Sequence, residues 1–363
     1  MMRYNRLSVA ERIFRGRGFY AALLPVRIVL SFLYRIIIYL KRELSSRDQV
    51  STEKSISANV VSVGNIVVGG GGKTPCVMAL AKALRDRGFK PVILSRGYGS
   101  RAEKAGKTVV LRGTGNSGSA GMPGREFVFS YGDEAAIYRN ESVQVILDPN
   151  RKRGLKRGAQ MCRPTHVIMD DAFQNLDIYK DHDILLLDHL DPFGGGKLLP
   201  WGSLRESPEA VKRAGVVIFT RSISNKIPPE ARDLIKGKEI FFSRHEYEGL
   251  YGRDEEEVRP GELKGRKVAV FSGIAVPESF EDTVIERITE PDFSFRFSDH
   301  HMYDEEDIRF MTDLVPDGTV FITTEKDWFK SAELFTEDTD ILVLKIRMVF
   351  DNIDRLVNII ESG

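Results

Sequence analysis

The sequence predicts an α/β protein of the doubly wound kind, and three observations carry that reading. Short runs rich in Val, Ile and Leu recur from residue 59 onward. Stretches of helical periodicity separate them. One run leads into a glycine cluster followed by Lys-Thr, a strand–turn–helix junction.

The runs are Val60–Val63, Val92–Leu94, Val143–Leu147, His166–Met169, Ile184–Leu187, Val216–Phe219, Val268–Phe271, Val320–Ile322 and Ile341–Leu344. Many are continuous rather than alternating, as strands buried on both faces of a parallel sheet are. Alternation with helices points to helices on both faces. Residues 100–125 are rich in Gly and Ser and predict an exposed, mobile loop, and residues 246–264 predict a polar, turn-rich connection.

A chain of 363 residues allows about two domains. With 42% hydrophobic and 29% charged residues it is an ordinary globular chain, not a disordered one. A net charge of +1 argues against a chain-wide nucleic-acid surface. The only cysteines, Cys76 and Cys162, exclude a disulfide scaffold and a cysteine-only zinc site, and suit a reducing compartment.

The charge is unevenly spread. Residues 1–47 hold ten basic and two acidic residues, a charge of +8, which leaves −7 for the remainder. Within them Phe19–Leu40 is strongly apolar, interrupted by Pro25, Arg27 and Arg35. The spacing of the two arginines puts them on nearly the same helical face. The pattern predicts an amphipathic helix lying in a membrane interface, its arginines reaching for anionic head groups. The alternatives are a helix packed on the domain and a single span with snorkelling arginines. The expected division is a membrane-associating segment at 1–47, a core domain at 48–220 and a smaller α/β domain at 221–363.

The stretch VVSVGNIVVGGGGKTP (Val60–Pro75) carries the clearest chemistry. Glycines let successive backbone N–H groups converge on phosphate oxygens, and a helix N-terminus adds partial positive charge. Gly69, Gly70, Gly71, Gly72, Lys73, Thr74 and Pro75 form the candidate phosphate loop, with Lys73 directed to the β- and γ-phosphates and the Thr74 hydroxyl to Mg²⁺. The strict G-x-x-x-x-G-K-[ST] spacing fails, because Val67 stands where the first glycine belongs. Such a loop needs a metal-holding carboxylate at a strand end. The run THVIMDDAFQ supplies Asp170 and Asp171 at the C-terminal edge of a buried strand, and one of them also suits a helix cap. Asp133, in Gly132-Asp133-Glu134, reads on its own as a helix-start signal. Asp299-His300-His301 offers a base or a group that orients one. Arg205 and Glu206, in LLPWGSLRE, suit either phosphoryl charge or a surface ion pair.

Taken in order, SVGNIVVGGGGKTP, LSRGYG, GDEA, DDAFQ, LLPWGSLRE, FSGI, SDHH and TTEKDW resemble the tetraacyldisaccharide 4′-kinases, the lipid A 4′-kinases of Gram-negative envelopes, over residues 15–360 or so. The resemblance implies a P-loop α/β/α sandwich, a smaller α/β domain, a two-stranded ribbon joining them and an active site in the cleft between. It implies transfer of the γ-phosphate of ATP to the 4′-hydroxyl of a tetraacylated glucosamine disaccharide 1-phosphate, giving lipid IVA. It makes Asp133 the catalytic base and His300 its partner, with Lys73 and Arg205 also catalytic, and Thr74, Asp170, Asp171 and Glu206 around Mg²⁺. The expected partners are ATP, the acylated disaccharide and a membrane surface, without nucleic acid. The expected setting is a monomer, peripheral or monotopic, on the cytoplasmic face of the bacterial inner membrane.

Three features depart from the family pattern: Gly71 where Ser or Thr is common, a longer Gly/Ser run before GDE, and Asn175-Leu176 after DDAFQ. The competing reading is a P-loop ATPase switch that cycles on and off a membrane, which would need neither GDE nor DHH in addition to DDAFQ.

Overall fold

The computed structural model describes residues 1–6, 24–48, 54–112, 124–139 and 143–361. In chain order the elements are β1 (Met2–Arg6), α1 (Leu24–Asp48), β2 (Asn59–Asn65), α2 (Lys73–Asp86), β3 (Pro91–Ser95), α3 (Arg101–Ala105), β4 (Val109–Leu111), α4 (Gly124–Tyr131), α5 (Asp133–Arg139), β5 (Gln144–Leu147), α6 (Arg151–Cys162), β6 (His166–Asp170) and β7 (His182–Asp188). They continue with β8 (Val216–Thr220), β9 (Glu239–Tyr251), β10 (Val268–Ser272), α7 (Pro277–Arg287), β11 (Phe293–Phe297), α8 (Glu305–Thr312), β12 (Val320–Thr324), α9 (Glu325–Ser331), β13 (Ile341–Phe350) and α10 (Ile353–Glu361), with short 3-10 turns between. The fold is mixed α/β, built on parallel-dominated sheet.

The chain forms two compact units. The first takes the described residues within Met1–Arg12, Ser119–Ile137 and Glu246–Arg347; the second takes those within Ile13–Gly118, Tyr138–His245 and Met348–Gly363. This differs from a division at residue 220. β9 starts at Glu239 in parallel register with β8, Val216 opposite Glu239, so the chain beyond 220 still belongs to the second unit. Chain crossings fall inside β9 and β13, and α10 returns to pack on α2 and β2.

In the second unit the strands run β9-β8-β7-β2-β6-β3-β5-β4, parallel except for the β5–β4 pair. β3 and β6 are buried throughout, which accounts for their unbroken apolar sequences. α2 buries Cys76, Val77, Leu80, Ala81 and Leu84, one face of a 3.6-residue helix. In the first unit the order is β1-β11-β10-β12-β13, all parallel. Its two faces separate by alternation along β10. Val268 and Val270 pack with Phe280 and Val284 of α7, and Ala269 and Phe271 pack with Ile308 and Met311 of α8.

Several expectations are corrected. Met2–Arg6, within the basic segment, is an edge strand paired with β11. The stretch 100–112 holds α3, capped by the Ser100 side chain on the Glu103 N–H, and β4; residues 113–123 lie outside the described residues. The polar run from 246 continues β9 to Tyr251, where Leu250 is fully buried, and residues 252–264 form the polar, turn-rich connection expected there.

Within the second unit, α1 departs from the amphipathic reading at one arginine. Arg27 is buried, donating from Nε to Pro200 O (3.0 Å) and from Nη2 to Trp201 O (2.9 Å). Ser31 donates to Leu198 O (3.0 Å) and Tyr34 to Arg205 O (3.1 Å). The helix therefore spends Arg27, Ser31 and Tyr34, one stripe at i, i+4 and i+7, on the carbonyls of the 198–205 loop. Arg35 stays exposed with Val29, Phe32, Leu33, Ile36, Ile37 and Leu40. Residues 19–23 of the apolar stretch lie outside the described residues. Among the described residues no helix is long and apolar enough to cross a membrane.

Candidate active site

In the second unit, β2 ends at Asn65 and α2 starts at Lys73, with Gly72 as its N-cap in a left-handed conformation (φ 74°). A side chain at 72 would be strained, and its Cβ would lie 2.9 Å from Met348 Cε. Gly71 is held for a different reason: a Cβ there would meet Asn65 Nδ2 at 2.6 Å. Asn65 thus packs against the loop at Gly71. Gly69 also has positive φ, and Gly71 N–H donates back to Gly69 O (2.9 Å). Gly70 lies between them, exposed. Thr74 and Pro75 occupy the first turn of α2, where a proline costs no intrahelical bond.

Two segments are brought to this loop by backbone hydrogen bonds. Arg205 N–H donates to Ile66 O (2.7 Å) and Val68 N–H to Ser203 O (2.8 Å), which explains why LLPWGSLRE reaches a loop more than a hundred residues away. β6 lies parallel to β2 with Asp170 opposite Val63, so both aspartates emerge beside the loop. Lys73 Nζ is 3.8 Å from Asp171 Oδ1, and Arg205 donates from Nη1 to both Asp171 oxygens at 2.9 Å.

The two aspartates are held differently. Burial pushes the Asp171 carboxyl up, but Lys73 and then Arg205 outweigh it and leave it below the usual range. Asp170 is fully buried and shifted the other way, by burial first and then by the Asp171 charge. Tyr138 Oη donates to its Oδ2 (2.9 Å), and the buried Arg151 donates to its carbonyl (2.7 Å). Asp170 Oδ1 is buried and has no hydrogen-bond partner among the described residues. An acceptor oxygen left so, near a second carboxylate, suits a hard cation that takes its remaining oxygens from phosphate and water.

Glu206 is not part of this constellation. Its two oxygens are taken by Arg213 at 2.9 Å each, and the pair is largely buried. Two oxygens already engaged by a guanidinium fork are poorly placed to hold a metal.

In the first unit, GDE and DHH meet. Asp133 opens α5, and its Oδ1 accepts the Glu134 N–H (2.9 Å), the helix-start role legible from its position. Its Oδ2 is 2.8 Å from His300 Nδ1, a contact between residues 167 apart in sequence. His300 adopts positive φ (59°), and its backbone N–H donates to Gly273 O (3.2 Å). Gly273, from FSGI, has no room for a side chain: a Cβ would lie 3.0 Å from Ser298 O. The second histidine turns away, with His301 Nε2 2.7 Å from Asp307 Oδ2 and its ring stacked on Phe297.

A third group completes this cluster. Lys326 Nζ lies 3.3 Å from Asp133 Oδ2 and 3.4 Å from Asp299 Oδ1. Burial favours the neutral acid at Asp133, yet Lys326 and then His300 hold its carboxyl well below the ordinary range. Reading the sequence by pattern misses Lys326, Asn65, Tyr138 and Arg151. Two of them carried a usable signal: Asn65 ends a parallel strand and Lys326 lies two residues past the end of one, the edge where α/β folds gather ligands.

A family model described as tetraacyldisaccharide-1-P 4′-kinase matches residues 22–362. A protein named tetraacyldisaccharide 4′-kinase from Syntrophus aciditrophicus is 31% identical over 337 residues, covering 88% of this chain and 87% of the relative. One of the same name from Syntrophotalea carbinolica is 36% identical over 282 residues, covering 76% and 74%. A solved structure described as the "apo" form of LpxK from Aquifex aeolicus in complex with ATP aligns with a TM-score of 0.70 at 28% identity, over 94% of this chain and 98% of that one.

Proposed function

The chain belongs to the tetraacyldisaccharide-1-P 4′-kinase family, and from that premise we propose how its residues divide the transfer of the γ-phosphate of ATP to the 4′-hydroxyl of an acylated glucosamine disaccharide 1-phosphate. Residues 69–75 cradle the triphosphate with backbone N–H groups, and Lys73 neutralises its β- and γ-oxygens. Arg205, already beside Asp171, meets the charge that spreads over the transferred phosphoryl group. Thr74, Asp170 and Asp171 would hold Mg²⁺, which when bound supplies further neutralisation of the phosphates. Glu206 serves by fixing its loop through Arg213 instead. Asp133 accepts the proton of the attacking hydroxyl while His300 orients the carboxylate.

The observation that carries this assignment is the 2.8 Å contact between Asp133 and His300. A membrane-cycling ATPase switch needs a phosphate loop and a metal site; a buried carboxylate paired with imidazole is what an alcohol acceptor requires. α1 seats the protein on the cytoplasmic face of the inner membrane through its exposed apolar residues, among them Val29 (61% exposed), Phe32 (64%) and Ile37 (61%), with the chain acting as a monomer. Incubation with ATP, Mg²⁺ and the disaccharide 1-phosphate tests the reading. It predicts a phosphorylated lipid, and ATP hydrolysis indifferent to the lipid would sink it.

A further inference from the structure

Building on that kinase reading, we propose that Lys326 of the TTEKDW motif is a positioning residue for the reaction: its ammonium ties Asp133, Asp299 and His300 into one arrangement and selects the imidazole tautomer that donates from Nδ1 to Asp133. Three acceptors surround Lys326 Nζ: Asp133 Oδ2 at 3.3 Å, Asp299 Oδ1 at 3.4 Å and His300 Nε2 at 3.5 Å. An ammonium has three N–H donors and no acceptor. The other neighbour of Nε2, Asp299 Oδ2, lies at 3.8 Å, beyond hydrogen-bond reach, so the nitrogen facing the ammonium presents its lone pair. The ring proton then sits on Nδ1, 2.8 Å from Asp133 Oδ2. A doubly protonated ring would set an N–H against the ammonium.

The arrangement is built rather than incidental. Thr324 caps α9, accepting the Asp327 N–H and donating to Asp327 Oδ2 (2.8 Å). Asp327 Oδ2 also accepts the Gly273 N–H (3.0 Å), and Gly273 O accepts the His300 N–H (3.2 Å). One run of hydrogen bonds thus fixes the start of α9, which carries Lys326, to the turn that carries His300. The charged groups facing the cluster are Asp133 and Glu134 of α5, Asp299 of the turn, and Lys326, Asp327 and Lys330 of α9. Lys326 is the largest of the charges holding Asp133 ionised, so its loss lets that carboxyl rise.

The test compares Lys326→Met and Lys326→Arg with the wild-type full-length protein, using ATP, Mg²⁺ and the disaccharide 1-phosphate in mixed micelles. Lys326→Met should lower kcat about 10- to 100-fold, the span typical of a group that orients another, with KM for ATP within about threefold. The acid limb of its kcat–pH profile should move to higher pH, and Lys326→Arg should restore part of that shift. Independently of turnover, ¹⁵N NMR of the histidine ring nitrogens should show His300 as the Nδ1–H tautomer in the wild type and lose that signature in Lys326→Met. Unchanged kcat, or a lower kcat with an unmoved acid limb and an unmoved ¹⁵N signature, would overturn the proposal. A wild-type protein that phosphorylates no lipid would overturn the kinase reading instead, while the ¹⁵N spectra still decide the tautomer.

Discussion

An Asp133→Asn substitution keeps the shape of the side chain and removes its charge, which isolates what the carboxylate does. Asp133 is buried, with Oδ2 facing His300 Nδ1 at 2.8 Å and Lys326 Nζ at 3.3 Å. Loss of a positioned base lowers turnover by about 10²- to 10⁴-fold. At 1.36 kcal/mol per decade this is about 2.7–5.5 kcal/mol of barrier. A structural cost accompanies it, because Lys326 loses one of two carboxylates. An uncompensated buried charge costs about 3–5 kcal/mol. Asp299 Oδ1, still 3.4 Å from the ammonium, brings the expected loss to the low end of that range. The assay is initial-rate transfer of labelled γ-phosphate to the lipid, run well below the unfolding temperature, with circular dichroism to show that the variant is folded. KM for ATP should be unchanged, since the phosphate-loop groups are a separate set of residues. A folded variant with turnover within about threefold of wild type would remove Asp133 from the role of base.

Other consequences follow from the same geometry. Lys73→Met should cost more than Asp133→Asn, about 10³-fold or greater, because phosphoryl transfer depends chiefly on positioning and charge neutralisation; comparable kcat values for the two variants would contradict this. Arg27→Ala removes the guanidinium bonds to Pro200 O and Trp201 O and should lower unfolding stability by about 1.5–3 kcal/mol without releasing the protein from vesicles, since the apolar residues of α1 remain exposed; flotation and urea titration measure both. His245 is half-buried, and desolvation, with the Arg221 charge beside it, depresses its imidazole to about 4. Its unfolded form binds more protons between that value and about 6.5, so stability should climb as pH rises through this window, and His245→Gln should flatten the climb in thermal melts.

Much of the fold is legible in the sequence because parallel strands buried on both faces leave continuous apolar runs: eight of the nine runs lie within a strand and the ninth, Val143–Leu147, starts one residue before its strand. What escapes has a physical reason in each case. β1 sits at a sheet edge with mostly exposed residues and shows no apolar run, and β9 extends well beyond its short Ile240–Phe242 run through a half that mixes exposed and buried residues. The glycine loop with its Lys-Thr and the paired aspartates are local patterns, visible in the sequence directly. The meeting of Asp133 with His300 and Lys326 is made by the fold alone, since the hydrogen-bonded run from Thr324 through Gly273 links segments that sequence spacing does not relate. Arg27 and Glu206 mislead for one shared reason: a charge read from sequence as available is spent on a buried partner, the 200–201 carbonyls in one case and Arg213 in the other.

The most direct measurement of the central claim is lipid phosphorylation itself, followed by mass spectrometry of the product after incubation of the full-length protein with ATP, Mg²⁺ and tetraacylated disaccharide 1-phosphate. The account predicts a product heavier by one phosphate, carried on the 4′-position, formed by the wild type and nearly absent with Asp133→Asn. ATP turnover of equal rate with and without the lipid, and no phosphorylated disaccharide, would contradict it.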